Sequence, residues 1–257
     1  MKPPGHKPPS RLFLNLSISL VLPTAVALIL GVLLMAQTSP AAEPPADTKL
    51  NPSTDVDPKL VERWDARYRD DGRPAWDTGR PSSNLKRMLE KKNLQPCRVL
   101  ELGCGTGVNA VYLAEQGFEV TAIDIAPTAL TLAKQRADEA GVEVEWIQAD
   151  VLTPPPLESF DLIFDRGCYH HISQYDSPGY AETLRRLSHA GTRAMILAGS
   201  PADGNRGGPP RIEEETIRRD FSTMFDFEWL RDIHFDARDP NVKGPSAWSI
   251  HLRRKSE

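Results

Sequence analysis

Three glycines follow one apolar run of the sequence and an aspartate ends the next, so both groups could bind the same ligand. In VLELGCGTG, Val99–Gly107, the glycines follow an apolar run and open a helical pattern, so the backbone can turn tightly against a ligand. Asp124 ends the next apolar run, where a carboxylate can accept hydrogen bonds from two ribose hydroxyls. The two features together predict a site for a ligand that contains a ribose.

The ligand is predicted to lack a pyrophosphate. The dinucleotide fingerprint GxGxxG needs glycine at position 108, where the sequence has Val108. Glu101 would repel a phosphate but could orient an ammonium group, and Asp150 follows a third apolar run, where an adenine amino group would lie. S-adenosylmethionine fits these residues better than NAD does. An NAD-dependent oxidoreductase is the alternative. The predicted cofactor residues are Glu101, Gly103, Gly105, Gly107, Asp124, Ile125, Asp150 and Val151.

A second group of chemically capable side chains lies in FDRGCYHHI, positions 164–172. Arg166 comes just past a predicted strand and is suited to stabilise a thiolate or another anion, while Asp165 could fix the guanidinium or the loop. One of His170 and His171 could be a wall of the acceptor site or a proton acceptor, and we choose His170. Tyr169 could contact the acceptor or pack in the core. We therefore predict Arg166, Asp165 and His170 as catalytic residues.

No metal site or disulfide framework is predicted. His170 and His171 are adjacent, so they cannot both face one ion from a helical turn, and no further ligand stands at suitable spacing. Cys97, Cys104 and Cys168 are odd in number and show no CxxC spacing. We expect Cys168 to pack as a small hydrophobic residue.

Strand and helix patterns alternate along the chain from about residue 59. Helical patterns alternate with five apolar strand-like runs, except between the third and fourth runs, and two further strand patterns close the chain. This order predicts an α/β fold: a doubly wound, Rossmann-like, mostly parallel seven-stranded sheet with an antiparallel C-terminal strand. In such sheets ligands bind at the carboxyl ends of the strands, where the residues named above would stand.

The N-terminal region differs in kind. Residues 1–42 hold a basic head and an uncharged apolar run, Leu12–Met35, that predicts a hydrophobic helix, either a membrane anchor or a cleaved signal peptide. Residues 43–58 are a Pro-rich linker, and 59–257 form the globular domain. We expect attachment to a membrane by this segment, or export if it is cleaved. The side of the membrane stays open, because charge bias points the domain outward whereas the cofactor is made in the cytoplasm.

Charge indicates the kind of partner. The formal net charge is −4 and no basic face is clustered, which argues against nucleic acid. We expect a monomer that acts on a small molecule.

The motifs resemble a known family. The order ELGCGTG, Asp124 and Asp150 resembles the class I S-adenosylmethionine-dependent methyltransferases. The segments AWDTGRPSSNL, FDLIFDRGCYHHI and GGPP, with a late Trp248, resemble the group of thiopurine S-methyltransferase, plant halide/thiol methyltransferases and tellurite-resistance methyltransferases. The resemblance spans about Val61 to Arg254 and excludes the N-terminal run.

This resemblance implies further roles. Trp76 would close over the cofactor, and an indole face beside a sulfonium gains about 0.5–2 kcal/mol of cation–π attraction. Gly79, Arg80 and Pro81 would form a loop across the site, with Arg80 near the substrate, and Arg166 would lie near both ligands.

The predicted reaction is methyl transfer from S-adenosylmethionine to a small-molecule thiol or a similarly soft nucleophile. Halide, tellurite, or an oxygen or nitrogen atom of a lipophilic molecule are alternative acceptors. A membrane-tethered protein that binds the cofactor without turnover is the alternative outside the enzymes.

Overall fold

The computed structural model describes residues 56–69, 73–92, 94–202 and 208–256. The helices are α1 (Pro58–Arg69), α2 (Ser83–Lys92), α3 (Val108–Glu115), α4 (Pro127–Ala140), α5 (Tyr169–Arg186) and α6 (Glu214–Phe221). The strands are β1 (Arg98–Leu102), β2 (Glu119–Asp124), β3 (Glu145–Gln148), β4 (Phe160–Arg166), β5 (Ser188–Gly199), β6 (Phe225–Asp236) and β7 (Lys243–Arg254).

The strands form one seven-stranded sheet in the order β3-β2-β1-β4-β5-β7-β6. Strands β1 to β5 pair in parallel, whereas β7 runs antiparallel to both β5 and β6. The predicted doubly wound sheet is therefore confirmed, including its antiparallel C-terminal strand. The chain goes from β1 outward to β2 and later returns to β4 on the other side of β1, so the crevice where ligands bind opens beside β1 and β4.

The central strands are apolar on both sides because helices cover both faces of the sheet. Leu100 and Leu102 of β1 pack in one cluster with Tyr180 of α5. Val99 points the other way and packs with Leu113 of α3. Glu101 follows the same alternation as Val99, so its carboxylate is brought beneath α3.

Two helices differ from the sequence reading. Helix α1 was not predicted, and it docks through Asp65, whose Oδ1 accepts the Thr128 backbone N–H at 2.7 Å. The sequence pattern of Tyr180, Leu184 and Leu187 predicts a helix there, but helix α5 begins earlier, at Tyr169, directly after the β4 turn. It is kinked at Asp176 (φ −151°, ψ 69°), two residues before Pro178, whose ring disfavours helical geometry at its predecessors.

The predicted hydrophobic segment Leu12–Met35 lies outside the described residues, so membrane attachment stays a prediction. Within the described ranges, no helix has the length and apolar character needed to cross a bilayer. The predicted division at residues 42 and 58 likewise stays a prediction.

Candidate active site

A cavity of about 800 Å³ opens at the carboxyl ends of β1 to β4. Its cover comes from α1, from residues 75–80, and from the ends of β6 and β7. All of the predicted cofactor residues line this cavity except Gly107. The topology therefore gathers these residues at one place.

The glycine loop is shaped by three left-handed backbone conformations. Gly103, Gly105 and Gly107 have φ values of 65°, 53° and 71°. A Cβ at Gly103 would lie 2.7 Å from the Cβ of Cys168, and one at Gly107 would lie 2.7 Å from the Cβ of Ala133. Larger residues would thus push the loop away from the β4 turn and from α4, so glycine is required for both backbone angle and space.

Asp124 fixes this loop. Its Oδ2 accepts the Gly105 N–H at 2.7 Å and its Oδ1 accepts the Ala126 N–H at 2.9 Å. Burial raises the pKa of Asp124, and these backbone donors oppose the shift. The carboxylate lines the cavity and keeps lone pairs, so it fits the predicted role of binding ribose hydroxyls, which stays a prediction.

Glu101 presents an unsatisfied oxygen at the cavity. Its side chain is 1% exposed, and Oε1 accepts a hydrogen bond from Asn109 Nδ2 at 3.1 Å. Its Oε2 is buried without a hydrogen-bond partner in the described structure. Burial raises the pKa of Glu101 to about 8. An ammonium group bound here would satisfy Oε2 and stabilise the ionised carboxylate, so the residues fit the methionine end of S-adenosylmethionine.

The adenine end of the cavity is formed after β2 and β3. Ile125 and Val151 line it, and Val151 is 5% exposed. Asp150 also lines it, and its Oδ1 accepts the Leu152 N–H at 2.9 Å, which turns the chain after β3. One carboxylate oxygen is thereby held by the backbone while the residue faces the cavity beside two apolar side chains.

Trp76 covers the cavity from the segment before α2. It is 38% exposed, and its carbonyl oxygen accepts a hydrogen bond from Arg166 Nη1 at 3.1 Å. The Arg67 guanidinium lies 5.6 Å from the Trp76 ring centre and 5.1 Å from that of Trp64. Trp76 is thus contacted by two cations: Arg67 of α1 lies over its ring, and Arg166 at the end of β4 binds its carbonyl oxygen.

Arg80 fastens the cover rather than presenting a free cation to a substrate. Its guanidinium donates to the carbonyl oxygens of Arg238 at 3.0 Å and Ala237 at 2.8 Å. Arg238 in turn donates to the carbonyl oxygens of Asp77 and Pro74, at 3.2 and 2.9 Å, and to that of Arg73. These two arginines join the segment before α2 to the turn between β6 and β7. We call them the arginine clasp.

Asp165 and Tyr169 lie in the core rather than at the cavity. Asp165 is fully buried and accepts the N–H groups of Cys168 (2.8 Å) and Tyr169 (2.9 Å) and the hydroxyl of Tyr180 (2.6 Å). It therefore starts α5 and shapes the turn. Tyr169, also fully buried, donates to Asp220 at 2.6 Å. Neither side chain lines the cavity, because both are held in the core by hydrogen bonds to α5 and α6.

Arg166, the neighbour of Asp165, faces the cavity. Burial lowers its pKa, and the carboxylates of Asp236, Glu101 and Asp77 oppose that shift. Its guanidinium carbon lies 5.3 Å from the centre of the Phe235 ring. A guanidinium stays charged throughout the physiological range, so Arg166 is the fixed positive charge at this end of the cavity.

His170 lines the cavity, but it is not arranged as a proton acceptor. The Gly199 N–H donates to its Nδ1 at 3.1 Å, so that nitrogen's lone pair is already used. Burial lowers the pKa of His170 to about 3, with His171 and Arg166 adding to the effect. The predicted role in accepting a proton therefore does not fit the geometry, although the position at the cavity does.

Several cavity residues were missed at the sequence level: Trp64, Arg67, Tyr68 and Phe235. Trp64 and Tyr68 are four residues apart, a spacing that places them on one face of a helix and could have indicated α1. Phe235 belongs to a strand pattern and carries no signal of its own. Cys168 lines the cavity, and burial raises the pKa of its thiol. In the described ranges, no group of three or more His, Cys, Asp or Glu could hold a metal ion.

The sequence of this chain is similar to the sequences of known proteins. A family model described as a methyltransferase domain matches residues 99–191. The chain is 29% identical over 171 residues to 2-heptyl-1-hydroxyquinolin-4(1H)-one methyltransferase of Mycobacteroides abscessus, covering 62% of this chain and 74% of that protein. It is 28% identical over 170 residues to probable thiol methyltransferase 2 of Arabidopsis thaliana, covering 63% and 74%. It is 30% identical over 109 residues to an uncharacterized methyltransferase of Schizosaccharomyces pombe, covering 42% and 75%.

A solved structure agrees with these sequence matches. The structure determined for the conversion of a disulfide bond into a thioacetal group during echinomycin biosynthesis superposes with a TM-score of 0.65 at 28% identity. The superposition covers 76% of this chain and 92% of that chain. The chain therefore belongs to the S-adenosylmethionine-dependent methyltransferase family, with S-adenosylmethionine as its methyl donor.

Proposed function

We propose that the acceptor is a small-molecule thiol or a similarly soft nucleophile. The observation that carries this proposal is Arg166, a charged guanidinium that faces the cavity. S-adenosylmethionine supplies an activated methyl group, so the protein has only to align and stabilise the nucleophile. A thiol has a reference pKa of about 8.5, and a fixed cation increases the fraction that is ionised.

The cavity's carboxylates are committed to other partners. Asp77 accepts hydrogen bonds from the Gly79 N–H (2.7 Å) and Thr106 Oγ1 (2.7 Å). Asp236 accepts the Ser83 N–H at 3.0 Å and the Ser83 hydroxyl at 2.6 Å. Glu101, Asp124 and Asp150 surround the cofactor end of the cavity. Among the residues that the structure describes, the hydrogen bonds of Asp77 and Asp236 and the place of the other three carboxylates at the cofactor end disfavour a carboxylate as the base for a neutral acceptor.

The two histidines at the cavity are also weak bases. The pKa of His170 is lowered to about 3, and that of His171 to about 4, chiefly by burial. An effective general base has a pKa near the working pH, so neither ring suits the removal of a proton from an amine or an alcohol. This favours an acceptor that ionises by itself, as thiols do, over an oxygen or nitrogen nucleophile.

The relatives differ in the acceptors that their names give. One is named a probable thiol methyltransferase, which favours the thiol, and another is named for a hydroxyquinolone, a planar aromatic molecule without sulfur, which favours the oxygen or nitrogen alternative. The rings of Trp64, Trp76 and Phe235 line the cavity and suit such a molecule. Halide and tellurite acceptors remain the second candidate, favoured by the same Arg166 charge but leaving the aromatic surface without a partner.

The test is transfer of a labelled methyl group from S-adenosylmethionine to a panel of aromatic thiols, alkyl thiols, thiopurines, iodide and tellurite. We expect the label in thioethers, with aromatic thiols best. Asp124→Ala, which should not hold the cofactor, is the matched inactive control. Transfer confined to iodide or tellurite supports the second candidate, and transfer only to phenols or amines in an extended panel contradicts the proposal.

A further inference from the structure

We propose that His170 donates a hydrogen bond from Nε2–H to the methyl-acceptor atom, and that with Arg166 it selects an acceptor that arrives as an anion. This inference rests on the proposed function, because it concerns the end of the cavity where Arg166 lies. It reverses the role expected for a histidine in an active site, which is to take a proton. The assignment follows from one backbone hydrogen bond.

The Gly199 N–H sets the tautomer of His170. A backbone N–H can only donate, so the nitrogen that faces it, Nδ1 at 3.1 Å, carries a lone pair and no proton. A neutral imidazole has one protonated nitrogen, which must then be Nε2. Gly199 is the last residue of β5 and pairs with Ala247 of β7. The direction of its N–H bond is therefore fixed by the sheet.

The surroundings keep the ring neutral and in place. His170 is 4% exposed and has the Arg166 guanidinium and the His171 ring as its charged or titratable neighbours. The His171 ring lies 4.6 Å away and the Phe235 ring 6.0 Å away, both edge to face. A second positive charge beside Arg166 is disfavoured, and this agrees with the lowered pKa of His170.

A neutral donor and a fixed cation together suit an anion. The acceptor sulfur, already ionised, forms the new S–C bond to the methyl carbon, and the C–S bond of the sulfonium breaks with its electron pair left on the departing sulfur. No proton leaves the acceptor during this step, so the site needs donors and no base. A neutral amine or alcohol would instead bring an N–H or O–H toward another donor and leave both without an acceptor.

Two substitutions separate the possible roles of His170. The amide oxygen of asparagine reaches the Nδ1 position, so H170N keeps a partner for Gly199 but removes the donor at Nε2. The amide nitrogen of glutamine reaches the Nε2 position, so H170Q keeps the donor toward the cavity. With 4-nitrothiophenol as acceptor, we expect H170N to lose at least tenfold in kcat/KM and H170Q to stay within about threefold of the wild type.

Other patterns overturn the proposal. If both variants lose activity equally and the acidic limb of the pH profile changes, His170 acts as a base. If H170N stays active and H170Q does not, only the Gly199 contact matters. In the wild type, the pH midpoint of kcat/KM should move with the thiol's own pKa when 4-nitrothiophenol is replaced by 2-phenylethanethiol; a midpoint that stays fixed also contradicts an anionic acceptor.

The tautomer of His170 can also be tested by spectroscopy, without measuring turnover. Nitrogen-15 NMR of the ligand-free protein should show His170 as a neutral ring protonated at Nε2 at pH 7, with the assignment made by its absence in H170N. A ring protonated at Nδ1, or a charged ring, overturns the inference. If no thiol is methylated but the tautomer is as stated, and thiocyanate binds the S-adenosylhomocysteine complex of wild type more tightly than that of H170N, the thiol assignment fails and the anion assignment stands.

Discussion

The two halves of the cavity are built in different ways. The cofactor half comes from the turns after β1, β2 and β3, and its shape is fixed by backbone angles and backbone hydrogen bonds, such as those of Asp124 with Gly105 and Ala126. The acceptor half combines α1, the segment before α2, the β4 turn and the end of β6. Long side chains join these parts, as in the arginine clasp of Arg80 and Arg238.

This difference indicates where each property of the enzyme is encoded. Backbone geometry in short turns depends on a few neighbouring residues, so the cofactor half tolerates little change in those residues. Side-chain bonds between distant segments can be exchanged one at a time, so the acceptor half can change specificity on an unchanged cofactor site. Substitutions in the two halves should therefore separate cofactor affinity from acceptor use.

Asp124→Ala should have the largest effect. The substitution removes two hydrogen bonds to a charged acceptor, each contributing about 1.5–3 kcal/mol, and the ribose partner as well. We expect S-adenosylhomocysteine to bind at least about 100-fold more weakly, or about 2.7 kcal/mol, by titration calorimetry. Asp124→Asn, which keeps one oxygen acceptor, should be intermediate. Wild-type affinity in Asp124→Ala would refute this picture of the cofactor half.

Glu101→Gln should weaken cofactor binding about tenfold and change the pH dependence of stability. The pKa of Glu101 is raised from 4.5 to about 8, so its contribution to stability is present below pH 4.5 and is lost as pH rises through about 8. Without cofactor, urea unfolding should therefore show the wild type losing on the order of 2 kcal/mol relative to Glu101→Gln between pH 5 and 9. Parallel stability curves for the two proteins would contradict a buried, unsatisfied carboxylate.

Arg238→Ala should act mainly on the acceptor half. It removes the donor to three carbonyl oxygens of the segment that carries Trp76, so the cover becomes looser. We expect KM for the thiol to rise about three- to fivefold, while affinity for S-adenosylhomocysteine changes less. Arg253→Ala, an exposed arginine on β7, is the matched control and should leave both unchanged. An equal loss in both constants would show that the clasp serves the whole cavity.

Tyr169→Phe should have the smallest effect on catalysis. The substitution removes the hydrogen bond to Asp220 and should lower the free energy of unfolding by about 1–2 kcal/mol. Because the ring is buried in the core, kcat/KM for the thiol should stay within twofold of the wild type. A tenfold loss with unchanged stability would instead place Tyr169 at the acceptor, as the sequence pattern alone allowed.

The sheet and the cofactor half could be predicted because their signals are local. The glycines at 103, 105 and 107 need left-handed angles, and Asp124 and Asp150 follow strands whose order fixes where they meet. The acceptor half could not be predicted to the same depth. Asp165 and Arg166 are neighbours, yet one enters the core and the other the cavity, and only the packing of α5 decides which.

The roles of His170 and Arg80 depended on contacts between distant positions. The Gly199 N–H that sets the tautomer of His170 is 29 residues away in the chain, and the carbonyl oxygens that hold Arg80 are 157 and 158 residues away. No spacing rule connects such positions. The sequence therefore predicted that these residues gather at the site, but it could not predict what their polar atoms do there.

The separation of the two halves is tested most directly by Arg166→Met, which keeps an unbranched apolar stem and removes the guanidinium and its charge. Affinity for S-adenosylhomocysteine and kcat/KM for 4-nitrothiophenol should be measured on the same preparation. We predict an affinity within about threefold of the wild type and a loss of at least tenfold in kcat/KM, about 1.4 kcal/mol of transition-state stabilisation. Unchanged kcat/KM, or a parallel loss of cofactor affinity, would contradict the assignment of Arg166 to an anionic acceptor.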